Sequence, residues 1–261
     1  EDTGQTITLS RFEDVYDQNN GTQIRNNVQT PQEERLTKFD DVINGAAGDY
    51  GQSDSLTDPS TEDNDTANII TNDNFELGDA LDNIVNLTNI ENMVVQATED
   101  DSGDLDFTQA IELKNLVLKG SWTSGPVHIE SWIDTANITS FDFSEVTTDN
   151  GFHVETGNND FEEVTARPLS FNGSRGNDVF EASVGPATMK GGAGVDELHG
   201  SLSDSTYIEG GEGVDEAFLI DDNNATDTVS YKGITSDLNL TLIEGFVGFL
   251  NTVQNPNQNV H

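Results

Sequence analysis

Asp178, Asp196 and Asp215 occupy one recurring place in a nine-residue pattern, Gly-Gly-x-Gly-x-Asp-x-(apolar)-x. The pattern reads GGAGVDELH over 191–199 and GGEGVDEAF over 210–218, and a third copy with one change, GSRGNDVFE, fills 173–181. These residue types suit one kind of chemistry. Glycine reaches positive φ without steric cost, so the backbone at Gly176, Gly192, Gly194, Gly211 and Gly213 can turn tightly and aim successive carbonyl oxygens at one spot. The Asp adds a hard anionic oxygen. Such a donor set fits Ca2+, which takes six to eight oxygens at about 2.3–2.6 Å. Ser174 stands where the second glycine stands in the other copies, so the outermost turn departs from the pattern.

The copies start at 173, 191 and 210, intervals of 18 and 19 residues. Two nonapeptides make 18, one coil of a solenoid in which each repeat supplies one turn and one short strand. The apolar eighth position then points into the core. The intervening stretches ASVGPATMK and GSLSDSTYIE read as degenerate repeats, one of which carries the additional residue. Stacking one coil apart sets copy one over copy two and copy two over copy three. Two Ca2+ ions in one row are therefore expected, held by Asp178, Asp196 and Asp215 with Ser174, Gly176, Gly192, Gly194, Gly211 and Gly213. A glycine-rich hairpin series without metal leaves the recurrence of Asp at one position unexplained.

These residues resemble the RTX nonapeptide family, whose repeats form calcium-binding parallel β-helices. Downstream, DTVSYKGITSDLNLTL (227–242) resembles the segment that often follows such repeats in secreted members. Upstream, TITLSRFEDV (6–15), DDVINGAAGD (40–49) and NLTNIENMVV (86–95) look like modules of RTX-type bacterial surface-layer proteins. The resemblance implies a secreted, calcium-dependent structural protein of the cell surface, an S-layer or filament subunit, with no catalytic role.

Other elements must position the repeat. Val127, Ile129 and Ile133 alternate with His128, Glu130 and Trp132; Phe141 and Phe143 flank Asp142; Phe152 and Val154 flank His153. Leu238, Leu240 and Leu242 alternate with Asn239 and Thr241. This period of two, bounded by Gly, Asn, Asp and Ser, reads as strand and turn. Similar islands begin near Ile90, Leu113 and Ile138, 23 and 25 residues apart. Leu77, Leu81 and Ile84 follow a helical spacing and suggest one short helix. Ten of the 24 glycines lie between Gly173 and Gly213, which marks a boundary near residue 170. The expected architecture is an all-β, right-handed parallel β-solenoid. It divides into an irregular acidic β-rich region (1–89), solenoid-like strands (90–169), a calcium-binding β-roll (170–245) and a polar tail (246–261).

Charge narrows the function classes. With 49 Asp and Glu against 10 Lys and Arg, the formal net charge is −39. Self-repulsion of that size opposes compaction unless counterions relieve it. Nothing neutralises phosphates, so no nucleic-acid partner is expected, and an anionic membrane would repel the chain. No run of 18 or more apolar residues occurs, and no membrane insertion is expected. The absence of cysteine excludes disulfides and Cys-based metal sites. The 13 Phe, 4 Tyr and 2 Trp weigh against disorder. The first residues, EDTGQTITLS, show no basic region followed by an apolar run, so no signal peptide is expected there. Three origins remain open: a mature form, a fragment, or a chain exported by a route, such as type I secretion, that reads no N-terminal signal.

Catalytic motifs are missing. His128, His153, His199 and His261 form no HExxH, and neither a GxSxG elbow nor a GxxxxGK[ST] loop occurs. The run TEDDSGDLD (98–106) offers Asp101, Asp104 and Asp106 as further cation ligands, with a solvated loop as the plainer reading. The expectation is an extracellular protein that folds on Ca2+ and then self-assembles into a lattice or filament. The alternative is an RTX adhesin segment that binds a cell-surface glycan through exposed aromatics such as Trp122 and Trp132. A third option is the calcium-binding part of a secreted hydrolase.

Overall fold

A computed structural model describes residues 4–8, 14–17, 22–25, 28–29, 36–45, 55–71, 86–98, 105–106, 112–123, 127–131, 138–156, 167–182, 185–201, 205–213, 215–219, 228–230 and 239–242. The fold is all-β with parallel sheets, and no helix occurs among the described residues. Two compact units divide the chain, the first formed by 1–124 and 135–138, the second by 125–134 and 139–261.

Unit 1 holds β1 (Thr6–Thr8), β2 (Asp14–Asp17), β3 (Thr22–Arg25), β4 (Val28–Gln29), β5 (Val42–Gly45), β6 (Ser55–Thr57), β7 (Thr66–Thr71), β8 (Asn86–Thr88), β9 (Asn92–Ala97), β10 (Leu105–Asp106) and β11 (Asn115–Gly120). Strands β1, β5, β7, β9 and β11 pair in that order, all parallel. A second sheet runs β4-β3-β2-β6-β8, antiparallel through β4-β3-β2 and parallel through β2-β6-β8. Apolar residues at every second position fall into columns. Ile43, Ala67, Met93 and Leu116 are in register and fully buried. The next inward column is Ile69, Val95 and Leu118. Asn side chains join neighbouring strands on the other positions: Asn68 Nδ2 donates to Asn44 Oδ1 at 3.0 Å, and Asn115 Nδ2 to Asn92 Oδ1 at 2.7 Å. Regular pairing thus reaches well upstream of Ile90, where the sequence shows only short apolar islands. Ile90, Leu113 and Ile138 are each fully buried two residues before a strand.

Unit 2 holds β12 (Val127–Ser131), β13 (Ser140–Val146), β14 (Phe152–Thr156), β15 (Leu169–Asn172), β16 (Val179–Ala182), β17 (Ala187–Ala193), β18 (Glu197–His199), β19 (Thr206–Glu212), β20 (Glu216–Leu219), β21 (Thr228–Ser230) and β22 (Asn239–Leu242). From β13 onward the chain alternates strictly between two parallel sheets, β13-β15-β17-β19-β21 and β12-β14-β16-β18-β20-β22. A parallel pair needs a crossover of a dozen or more residues. Here each crossover contains one strand of the other sheet. The inward faces meet through phenylalanines: Phe143 lies 4.6 Å from Phe152, and Phe171 stacks on Phe180 at 4.7 Å and on Phe141 at 5.1 Å. Offset or stacked rings at such distances add to the burial of their apolar area.

Candidate metal centre

The three glycine-rich copies sit side by side. Strands β16, β18 and β20, which follow the three Asp residues, are neighbours in one sheet, with Val179 opposite Glu197 and Glu197 opposite Glu216. Those offsets reproduce the repeat intervals of 18 and 19 residues. The eighth positions, Phe180, Leu198 and Ala217, are fully buried and hold each turn against the core.

Backbone conformation explains the glycines. Gly192, Gly194, Gly211 and Gly213 have φ of 105°, 126°, 117° and 146°, a region that side chains with a Cβ rarely enter. Each also rides on a carbonyl of the preceding turn. A Cβ on Gly192 would lie 2.2 Å from Ser174 O, one on Gly194 2.2 Å from Gly176 O, and one on Gly211 2.0 Å from Gly192 O. The first glycine of each copy, absent from the expected ligand set, has a different task. A Cβ on Gly191 would fall 2.2 Å from Asp196 Oδ2 and 2.4 Å from Gly210 O, and one on Gly210 would fall 2.3 Å from Asp215 Oδ2. A bare Cα at 191 therefore leaves room where a carboxylate oxygen and a carbonyl oxygen from successive turns converge.

The Asp residues form a ladder. Asp178, Asp196 and Asp215 are at most 1 % exposed. One oxygen of each accepts a backbone N–H from the equivalent position one strand back: Phe152 N to Asp178 Oδ1 at 2.8 Å, Asp178 N to Asp196 Oδ1 at 2.9 Å, and Asp196 N to Asp215 Oδ1 at 3.2 Å. The other oxygen separates the three. Asp196 Oδ2 and Asp215 Oδ2 are buried with no hydrogen-bond partner among the described residues. Asp178 Oδ2 accepts both the Ser174 backbone N–H at 2.7 Å and the Ser174 hydroxyl at 3.0 Å. Ser174 thus closes the first turn from within, and its hydroxyl also accepts the Gly176 N–H at 3.0 Å.

Burial dominates the electrostatics. It pushes the Asp196 carboxyl up to about 8, helped by the Asp178 and Asp215 carboxylates and opposed by the Asp178 N–H. Burial likewise raises Asp178 to about 6 against its bonds to Ser174 and Phe152, and raises Asp215. A buried carboxylate without a partner is costly to ionise, and a bound cation removes that cost. The donors here are hard oxygens with no nitrogen or sulfur among them, which suits Ca2+ or Mg2+ and not the softer transition metals.

Unit 1 carries a second ladder that the sequence reading missed. Asp41, Asp65 and Glu91 each immediately precede a strand and are at most 2 % exposed. The Asp41 N–H donates to Asp65 Oδ1 at 2.7 Å and the Asp65 N–H to Glu91 Oε2 at 2.9 Å, while the Gln5 and Thr37 N–H groups donate to Asp41. Asp41 and Glu91 lie within two of the upstream segments singled out above, yet their separations of 24 and 26 residues are unequal. No glycine pattern flags them.

Trp122 is not an exposed contact: it is 1 % exposed, and its Nε1 donates to Lys119 O at 3.0 Å. Its indole has a partner inside unit 1, so the ring packs inward. Trp132, the helix suggested by Leu77, Leu81 and Ile84, Asp101 and Asp104, and the polar tail lie outside the described residues. His153 is half-buried on β14, with Nε2 3.3 Å from Glu155 Oε1 and 3.4 Å from Glu181 Oε1. His199 pairs with Glu197 at 2.7 Å. No protein-family model, no curated protein and no solved structure matches the chain.

Proposed function

We propose that this chain is a secreted, calcium-dependent structural protein of the bacterial cell surface, built as an RTX-type parallel β-solenoid and lacking enzymatic activity. The observation that carries the reading is the pair of buried oxygens, Asp196 Oδ2 and Asp215 Oδ2, which have no partner among the described residues and lie in turns stacked in register. Calcium supplies the missing partner, with carbonyls of the glycine turns completing its shell. Folding and metal binding are then one process. In low calcium the net charge of −39 and the unpaired carboxylates keep the chain expanded; outside the cell calcium closes the coils. A micromolar site at about millimolar calcium gains about 4 kcal/mol by linkage. Folded copies then pack into a lattice or filament, with further calcium between acidic faces.

The test is a calcium titration of the chelator-stripped chain, followed by circular dichroism and light scattering. A cooperative gain of β signal followed by growth in mass is expected. A cooperative fold and constant mass in chelator at pH 8.5, where protons no longer stand in for the ion, would refute the reading.

A further inference from the structure

The connection 58–65 between β6 and β7 joins the two sheets of unit 1 and carries Asp58, Asp63 and Asp65. Asp58 and Asp65 are 1 % and 0 % exposed. Each uses one oxygen for the backbone: Asp58 Oδ1 accepts the Ser60 N–H at 2.9 Å, and Asp65 Oδ1 accepts the Asp41 N–H at 2.7 Å. The remaining oxygens, Asp58 Oδ2 and Asp65 Oδ2, together with both oxygens of Asp63, are buried with no hydrogen-bond partner among the described residues. One oxygen from each of the three carboxylates lies within 4.8 Å of the others. The geometry points to a second divalent-cation site, of calcium type, built by Asp58, Asp63 and Asp65 in unit 1.

The oxygens without partners are buried, so bulk water does not relieve their charge, nor does a hydrogen bond from any described side chain. One oxygen from each carboxylate falls inside the ~5 Å diameter of a calcium shell, with every donor a hard oxygen. The frame is fixed independently of any ion: the Asp58 N–H donates to Thr88 O at 3.1 Å, and Asn89, at φ 57°, donates its Nδ2 to Asp58 O at 2.9 Å. Burial raises Asp58 to about 8 and Asp65 to about 7, with the surrounding carboxylates adding to both. Such crowding marks a place where a cation is gained, and Asp65 would tie that cation to the carboxylate ladder of unit 1. Its residues are distinct from those of the turns over 173–215.

The experiment uses the 261-residue chain, stripped of metal and titrated with CaCl2 in flow dialysis. Asp63→Asn, which removes charge but no described hydrogen bond, is expected to bind one ion fewer than wild type while keeping its far-UV spectrum in calcium. Asp196→Asn is expected to retain this ion, so failure here and failure of the repeat turns give different stoichiometries. Unchanged stoichiometry and affinity in Asp63→Asn would overturn the site. Should Asp63→Asn not fold, an electron-density map of the wild-type chain in calcium decides: a peak about 2.3–2.6 Å from all three carboxylates is expected, and water alone there overturns the inference.

Discussion

Asp196 and Asp215 are joined by a bond that runs back along the ladder: the Asp196 N–H donates to Asp215 Oδ1 at 3.2 Å, and the second oxygen of each carboxylate is buried without a partner among the described residues. One oxygen of each residue holds the strands together. The other is the oxygen that the proposed calcium would take.

Ser174 gives the first test of that division of labour. Its hydroxyl lies 3.0 Å from both oxygens of Asp178. Ser174→Gly restores the repeat and leaves Asp178 without the hydroxyl. In chelator at pH 5, where acid holds the fold, the variant should lose about 1–3 kcal/mol, because the buried Gly176 N–H loses its acceptor while Asp178 keeps its backbone donors. With calcium it should bind more tightly at the first turn. Denaturant melts with and without chelator, beside a binding isotherm, check both halves.

Gly191 and Gly192 are both crowded by a neighbouring turn, and only Gly192 adds a positive φ. Gly191→Ala puts a methyl group 2.2 Å from Asp196 Oδ2, without a positive φ to strain. It should weaken calcium binding more than about tenfold, the lower end of what even an outer-sphere partner of a metal is worth. Gly192→Ala must adopt φ 105° and should cost about 1–3 kcal/mol of stability even in saturating calcium. Isothermal titration and thermal melts distinguish the two.

Asp41 serves as the contrast. Its carboxylate accepts the Gln5 and Thr37 N–H groups, so both oxygens are in use. Asp41→Ala should destabilise the fold by about 1.5–3 kcal/mol, the worth of hydrogen bonds to a charged group. The calcium stoichiometry should not change. A loss of bound ions in this variant would assign Asp41 to a metal site.

Acid should substitute for calcium. Asp196 has a folded value of about 8 against an ordinary 3.8, so the folded state binds its proton more tightly than the unfolded chain does. Its stabilising effect is complete below about 3.8 and is lost as pH rises through about 8. In chelator the melting temperature should therefore fall from pH 5 to pH 8.5. Calcium competes with that proton, so binding should release protons near pH 7 and flatten the profile. Melts across pH, with proton release read from buffers of different ionisation enthalpy, test the sign.

The glycine turns were legible in the sequence because their chemistry has a fixed grammar. Glycine is needed where φ is positive, Asp where a carboxylate must reach back, and an apolar residue two places on. Their intervals of 18 and 19 residues reappear as the register of β16, β18 and β20. The ladder of Asp41, Asp65 and Glu91 was not legible. Among 49 acidic residues an acid before a short strand carries no signal, and the loops between them vary in length. Asp58 and Asp63 become neighbours of Asp65 through the course of one loop, which no periodicity announces. Ser174 reads as a flaw in the repeat, yet its hydroxyl fills a need that its neighbours leave open. Trp122 reads as a contact for a ligand, but its indole is turned inward.

Calcium titration of the double variant Asp196→Asn/Asp215→Asn against wild type, by calorimetry at pH 7.5, tests the central claim most directly. Loss of the ions of the 191–215 turns, together with their heat of folding, is the expected result. A double variant that binds the same number of ions with the same affinity as wild type would contradict it.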